Sequence, residues 1–548
     1  GVDGETDASG NTLLLVDADI STYVFGGQSI TPTGNATATN NAITLTGTTS
    51  VGTHLFGGVD ASGGAGTASS NNATSGSAAS DYFTGNKLNI KLPDTDVDPA
   101  GINVGGNLGN FEEYSFILHP EYKFGLNGEG PAVSVGGKVY LGNSYTTGTK
   151  GSDVTDIHFL GGGYASSVGD EFTLIHTTAA GDMYGFLSDS TSTGKKGATL
   201  FYDYTVAVDT PAQNLVAAVS NVRLNPQDKA LSEGWLSGLA FELYGADLVA
   251  DELKTISSRE YERNSYTFGT LSYNKLKHDT GSHIDVDGVS ALAGVAKTRV
   301  TKRDNRMTLG GFIEAGWGDY DSYNSFSNAP SVRGHGDTNY YGGGLALRVD
   351  FKDRVPRDGD ENKKGHLYTD AAIRVGKAEA DFATADMTDI LGTAVNYESD
   401  TMYYGAHVSL GYLKKLSAKS ELDIYTRLLW TRQEGDDVVL STNDPVSFDD
   451  ADSFRWRTGL RYSSEMSGKY SFYLGAAYEH EFDGEVDATT YQYGTIPSPS
   501  MKGGTGIGEL GVAYMDKANT NFRMDLGVSG YTGQREGFGV KLDLDWFF

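Results

Sequence analysis

The chain is 548 residues long, more than one ordinary domain needs, and its formal net charge is -29. That charge argues against a nucleic-acid partner, because phosphate binding needs clustered Lys and Arg. The absence of cysteine excludes disulfides, thiolate metal sites and cysteine nucleophiles. Glycine (73) and tyrosine (32) are abundant and proline (12) is scarce, the profile of many strands joined by tight turns. No run of about 18 apolar residues occurs, so no transmembrane helix is expected, although a membrane barrel shows itself by alternation and not by bulk hydropathy. The opening GVDGETDASG has no basic-apolar leader and reads as a processed or trimmed start.

The first part carries a degenerate repeat. NTLLLVDADISTYVFGG (11–27) is echoed by NAITLTGTTSVGTHLFGG (41–58), which aligns Asn11 with Asn41 and Phe25 with Phe56. GNKLNIKL (85–92) is a partial third echo. A period of about 30 residues with Asn and Gly corners predicts a stacked β-solenoid, taken as right-handed. The small polar segment 62–80 reads as a loop. Short apolar strands separated by turn glycines continue to about 222, as the rest of the solenoid and its capping region. Roughly 22 acids against 8 bases up to residue 225 give this part an acidic, solvated surface.

At 225–257 the period changes. Leu231, Trp235, Leu239 and Leu243 fall four apart, one stripe of a helix that Pro226 opens. Gly234, Gly238 and Gly245 each weaken it by about 1 kcal/mol relative to alanine. A helix threaded through a narrow space gains close approach in return.

After about 264 long strands alternate. Leu422, Ile424, Thr426, Leu428 and Trp430 share one face, and Asp423, Tyr425, Arg427 and Thr431 the other. About twelve such strands follow, long enough to span a membrane and even in number. Backbone groups in lipid must pair internally, so the sheet has to close, and twelve strands leave room for about one helix. The expected architecture is all-β: a solenoid over 1–222, a linker and pore-spanning helix over 223–260, and a 12-stranded antiparallel transmembrane barrel over 261–548. The last strand, GFGVKLDLDWFF, sets Phe538, Val540, Leu542, Leu544, Trp546 and Phe548 against Gly539, Lys541, Asp543 and Asp545, with Phe547 as a break.

Residues 225–548, about 60% of the chain, resemble the translocator of classical monomeric (type Va) autotransporters of Gram-negative outer membranes. The likeness rests on the order of KALSEGWLSGLAFELYGADLV, TLGGFIEAGWGDYDSYNSF, LLWTRQEGD, GAAYEHEFDG and the closing aromatic. The upstream repeats are similar to the β-helical passengers of that family. The resemblance implies type V secretion: a barrel that translocates and anchors its own passenger, shown on the cell surface, with adhesion as the expected role. It also implies outer-membrane lipid, the barrel-assembly machinery and periplasmic chaperones as partners, an unidentified surface ligand, and a monomer. Phe548, backed by Trp546 and Leu544, would be the assembly signal.

No enzymatic motif for a serine nucleophile or a zinc site is present, so no catalytic, cofactor or metal residues are expected. His278, His283 and His335 read as exposed loop residues. Some relatives cut their own linker with an Asn and lumen carboxylates. Here that would involve Asn221 or Asn225 with Glu479, Glu481, Asp543 or Asp545. The Asn-Asn dipeptide of self-cleaving members is absent, and Pro226 blocks the backbone route at Asn225. The competing readings are a porin-like channel with an extra N-terminal domain, and an autotransporter whose passenger is enzymatic or self-released.

Overall fold

The repeat of about 30 residues becomes a stack of rungs. The computed structural model describes residues 6–29, 36–60, 80–92, 101–120, 130–143, 150–178, 183–185, 187–255, 265–355, 364–515 and 521–548. Apart from Ser80, the segment 62–80 lies outside the described residues. Two compact units form, one built on Gly1–Asn225 and one on most of the chain from Pro226 onward. The division between the units falls at Asn225 and Pro226, inside the expected linker and pore-helix segment 223–260, and the helix is packed among the strands of the second unit.

In the first unit, Thr12–Val16 pairs in parallel with Ala42–Thr46, which pairs with Lys87–Leu92. The ladder continues through Glu113–Leu118, Asp153–Phe159 and Thr191–Lys196. Two further parallel ladders run alongside, one through Ser50–Val51, Ile102–Val104 and Val133–Val135, the other through Val24–Ser29 and Leu55–Asp60. Alternate side chains of each rung point inward, so Ile43, Leu45, Leu88 and Ile90 stack into a fully buried core. The repeated asparagines form a ladder at one corner. Asn11 donates from its backbone N–H (3.0 Å) and its Nδ2 (2.9 Å) to Asn41 Oδ1, and Asn41 does the same to Asn86 Oδ1 at 2.9 and 3.1 Å. These bonds satisfy corner amides that no sheet ladder reaches. The antiparallel hairpin Leu200–Asp209 and Asn214–Leu224 ends the stack, joining Thr191–Lys196 on one side to Glu171–Thr177 on the other.

The second unit is a closed barrel of 12 antiparallel strands, from Ser265–Asp279 to Arg535–Phe547. The last strand pairs with the first, Leu542 opposite Leu271, and the Phe548 N–H donates to Ser265 O at 3.0 Å. Closure removes the sheet's free edges. At the end where the chain terminates, strands turn over through short segments such as 301–305, 418–419 and 466–469. At the other end, Asp436–Val439, Pro445–Phe448, Ala488–Thr490 and Tyr493–Ile496 form a four-stranded extension. Leu345, Ile424, Leu428, Leu474 and Leu510 are exposed on the outer wall, while Arg348, Asp423, Arg427, Glu479 and Glu481 point inward and are buried. An apolar band of this extent on the outside of a closed barrel needs an apolar surrounding.

Candidate functional site

The bore is filled by the helix Lys229–Thr255, which follows the short 3-10 turn Pro226–Asp228. The sequence predicts one apolar stripe. The structure instead buries the helix all the way round, Ser232, Glu233, Ser237, Glu242 and Asp247 included, because a closed wall leaves no solvent side. The predicted stripe is part of this packing. The Leu231 carbonyl accepts from Tyr397 Oη at 2.8 Å, and the Trp235 ring stacks on Phe448 with centroids 4.7 Å apart. Leu239 and Leu243 are buried lower in the bore. Two of the helix glycines answer the question of narrowness. A Cβ on Gly234 would lie 2.5 Å from the Phe382 ring, and one on Gly245 2.6 Å from Tyr340 Oη. Gly238 is looser, its nearest neighbour being Gln433 at 3.3 Å.

Polar groups on the wall grip polar groups on the helix at successive depths. Near the N-terminal turn, Glu233 accepts from Thr280 Oγ1 (2.8 Å) and Asn324 Nδ2 (2.9 Å) and pairs with Lys229 at 3.1 Å. One level down, Arg374 donates to the Glu242 carbonyl at 3.1 Å and pairs with Glu314 at 3.0 Å, and Tyr403 Oη donates to the same Glu314 at 2.7 Å. Below that lies the densest cluster. Asp247 of the helix meets Arg455 at 2.8 Å, Arg457 at 2.6 Å and Arg535 at 3.3 Å. Glu479 of the wall meets the same three guanidinium groups at 3.4, 2.6 and 2.5 Å. Three cations and two anions, all buried, are thus tied by shared charge-assisted hydrogen bonds. Arg427 then pairs with Asp251 at 3.1 Å and donates to the Ala250 carbonyl at 2.7 Å. Two voids beside the helix measure about 10 and 40 Å³, room for about one water and for a few. At the short-turn end the bore widens into a cavity of about 720 Å³ lined by His366, Glu421, Arg461 and Arg523.

The alternation of the last strand decides where its residues go. Leu544, Trp546 and Phe548 are exposed on the outer wall, and Asp543 and Asp545 face the bore with Glu479 and Glu481. Phe547, the apparent break, keeps the rhythm and points inward. It packs on Tyr266 (centroids 5.5 Å apart) in a cluster with Leu248 and Val249 of the helix. The inward face turns apolar there because it meets the apolar residues Leu248 and Val249 of the helix.

The histidine expectation is corrected. His278 lies on the first barrel strand, buried, with Nε2 3.2 Å from Tyr244 Oη of the helix. His283 begins the next strand and is half-buried against Tyr323, and His335 is exposed but on a strand and not in a loop. The reason is strand length: the barrel strands run past the turn glycines that had suggested loops. Asn221 and Asn225 both belong to the first unit. Asn221 Nδ2 donates to Asp203 at 2.9 Å, and hydrogen bonds from Arg223 and then Asn221 hold the Asp203 carboxyl below its usual value. Asn225 is buried, its Nδ2 donating to the Ala198 carbonyl at 2.9 Å. The arginine clamp was not singled out from sequence. Its signal is present in FRWRTG, where Arg455 and Arg457 alternate with Phe454 and Trp456, cations placed regularly on the face away from the aromatic ones.

Residues 291–527 match the family model of the autotransporter β-domain. The barrel is an autotransporter β-domain. The chain is accordingly an autotransporter of the type V secretion class, with its barrel in the outer membrane. No curated protein matches the chain. Among solved structures, it is similar to the transport unit of the autotransporter AIDA-I from Escherichia coli, with 13% identity and a TM-score of 0.38 over 59% of this chain and 98% of that one. The translocator domain of the autotransporter NalP from Neisseria meningitidis is 13% identical, with a TM-score of 0.38 over 56% and 96% of the two chains. The β-domain of the Bordetella autotransporter BrkA is 15% identical, with a TM-score of 0.35 over 52% and 100%.

Proposed function

We propose that the barrel of this autotransporter carries its own N-terminal unit across the outer membrane and then anchors it on the cell surface, where the solenoid serves in adhesion. The observation that supports this most is the helix Lys229–Thr255. It continues directly from the solenoid's last strand, fills the bore, and is held there by side chains at every depth. A segment that ended its passage by becoming a plug would be built this way. The anchor has no covalent step: buried charge pairs and ring stacking hold the rod, and lipid holds the barrel. Adhesion is the reading for the acidic, repetitive solenoid, whose sequence frames no nucleophile or zinc motif; the ligand would be a surface molecule. Asn221 and Asn225 have structural partners in this reading, and the linker stays intact.

Single-channel recording in a planar bilayer tests the plug. The full chain should conduct little, and deleting 229–255 should open a stable pore. A large, steady conductance from the full chain would favour the porin-like alternative instead. Protease accessibility of the solenoid on intact cells tests display.

Phe548, with Trp546 and Leu544 beside it on the outer wall, is proposed as the feature read by the barrel-assembly machinery after periplasmic chaperones deliver the chain as a monomer. Phe548 is 63% exposed and packs on little, so deleting it should leave refolding in detergent intact while lowering the amount of assembled barrel in cells. Equal loss in both settings would mean that its role is packing alone.

A further inference from the structure

Among the described residues, the two ends of the barrel gather opposite charges. At the end of the long hairpins, Asp436, Asp437, Asp449, Asp450, Asp483 and Glu485 crowd the extensions, with Lys502 on Glu485 and Arg432 on Asp450 as counter-charges. At the opposite end, where strands turn over quickly and the chain terminates, Lys297, Arg299, Lys302, Arg303, Lys414 and Lys419 are all exposed. None of these six side chains joins an ion pair among the described residues. Neighbouring bases do: Lys352 pairs with Asp304 at 2.7 Å and Lys364 with Asp353 at 3.5 Å. In a chain of net charge -29, six exposed bases at one end with no ion pair among the described residues are a local feature that overall composition opposes.

Strand alternation fixes where three of these bases point. Lys297 and Arg299 continue the outward face that carries Val289 and Val295. Lys414 continues the outward face of Val408 and Leu410. They therefore stand in the outermost rows of the lipid-facing band and outside the bore, Lys297 and Arg299 opposite Leu309 and Met307, and Lys414 between Leu410 and Leu416 on the same face. Long aliphatic stems can lie on the band while the charged heads reach the headgroup layer. Lys302, Arg303 and Lys419 project from the adjoining turns at the same level.

We propose that this rim binds the phosphates of anionic glycerophospholipids in the leaflet bordering the short-turn end. Polybasic segments at a membrane surface gain about fivefold in affinity per Lys or Arg, and the gain is screened by salt. The acidic extensions at the other end repel the same headgroups, so the charge pattern also fixes which way the barrel sits relative to an anionic leaflet. The inference uses the barrel's place in a bilayer and nothing about what passes through the bore, so its failure leaves the translocation reading intact.

Native mass spectrometry of the full chain in detergent, titrated with phosphatidylglycerol or with phosphatidylcholine, tests it. Phosphatidylglycerol should be retained at least about tenfold more strongly, and about 0.5 M salt should abolish the preference. A variant with Lys297→Gln, Arg299→Gln, Lys302→Gln and Arg303→Gln should lose that preference while still showing the heat-modifiable gel migration of a folded barrel. Lys275→Gln with Lys277→Gln, near the acidic end, should keep it. Equal retention of both lipids by the unaltered chain, or an unchanged preference in the fourfold variant, overturns the proposal. Stronger retention of the phosphates of lipid A overturns the choice of leaflet. If the fourfold variant does not fold, Lys302→Gln with Arg303→Gln alone, confined to an exposed turn, should still lower the preference several-fold, and no change would refute it.

Discussion

The two units use the same rhythm in opposite senses. In the solenoid, Ile43, Leu45, Leu88 and Ile90 point inward and are wholly buried, while Thr44 and Asn89 face out. In the barrel, Arg348, Arg427 and Arg455 point inward and Leu345, Leu428 and Trp456 face out. Period-two alternation is common to both, and the surroundings give it its sign. Water outside drives apolar groups into the solenoid, whereas lipid outside and a polar rod inside turn the barrel the other way round. The units also differ in the reach of their interactions. Solenoid rungs bond to residues 30 or 45 positions away, while Asp247 meets Arg455 across 208 positions and Arg535 across 288.

The comparison can be broken at three points. The largest effect is expected at the arginine clamp. Arg457→Ala leaves Asp247 and Glu479 buried with one cation fewer and should cost about 3–5 kcal/mol of barrel stability. All five tryptophans, Trp235, Trp317, Trp430, Trp456 and Trp546, lie in the second unit, so fluorescence during denaturant unfolding reads the barrel alone. An unchanged midpoint would mean that the clamp does not hold the rod.

Next is the outer wall. Leu345→Arg should cost about 2–4 kcal/mol in a bilayer, as a charge does on a lipid-facing strand. Thr44→Arg, on the outward face of the solenoid, should stay within about 0.5 kcal/mol, as solvent-facing changes do. Equal costs at the two sites would erase the inside-out distinction. Of the three points the mildest loss is expected at the asparagine ladder: Asn41→Ala leaves the amides of Asn11 without their shared acceptor and should cost about 1–3 kcal/mol, still above the Thr44→Arg control. Far-UV circular dichroism should show the solenoid melting earlier while the tryptophan signal stays in place. A simultaneous shift of both signals would mean that the two units unfold together.

Much of this was legible in the residues. The spacing of Asn11 and Asn41 sets the rung length, and the alternation around Arg427 and Glu479 separates the two faces of each strand. Gly234 and Gly245 announce a helix in a tight space, because nothing else repays their helix penalty. Less legible was the site itself. Glu233, Glu242, Asp247 and Asp251 look like the solvated face of an amphipathic helix, and only enclosure turns them into buried anions. His278 looked like a turn residue because the glycine at 281 is near, yet the strand carries it into the bore.

The sequence by itself determined the local periods: two in the strands, 3.6 in the helix and about 30 in the rungs. These depend on neighbours along the chain, which a sequence displays directly. Tertiary structure alone decided which arginines meet Asp247, why Phe547 turns inward, and that Lys297, Arg299, Lys302, Arg303, Lys414 and Lys419 gather at one end of the barrel. Those outcomes depend on closing the last strand onto the first around a threaded helix, and that step brings together side chains hundreds of positions apart.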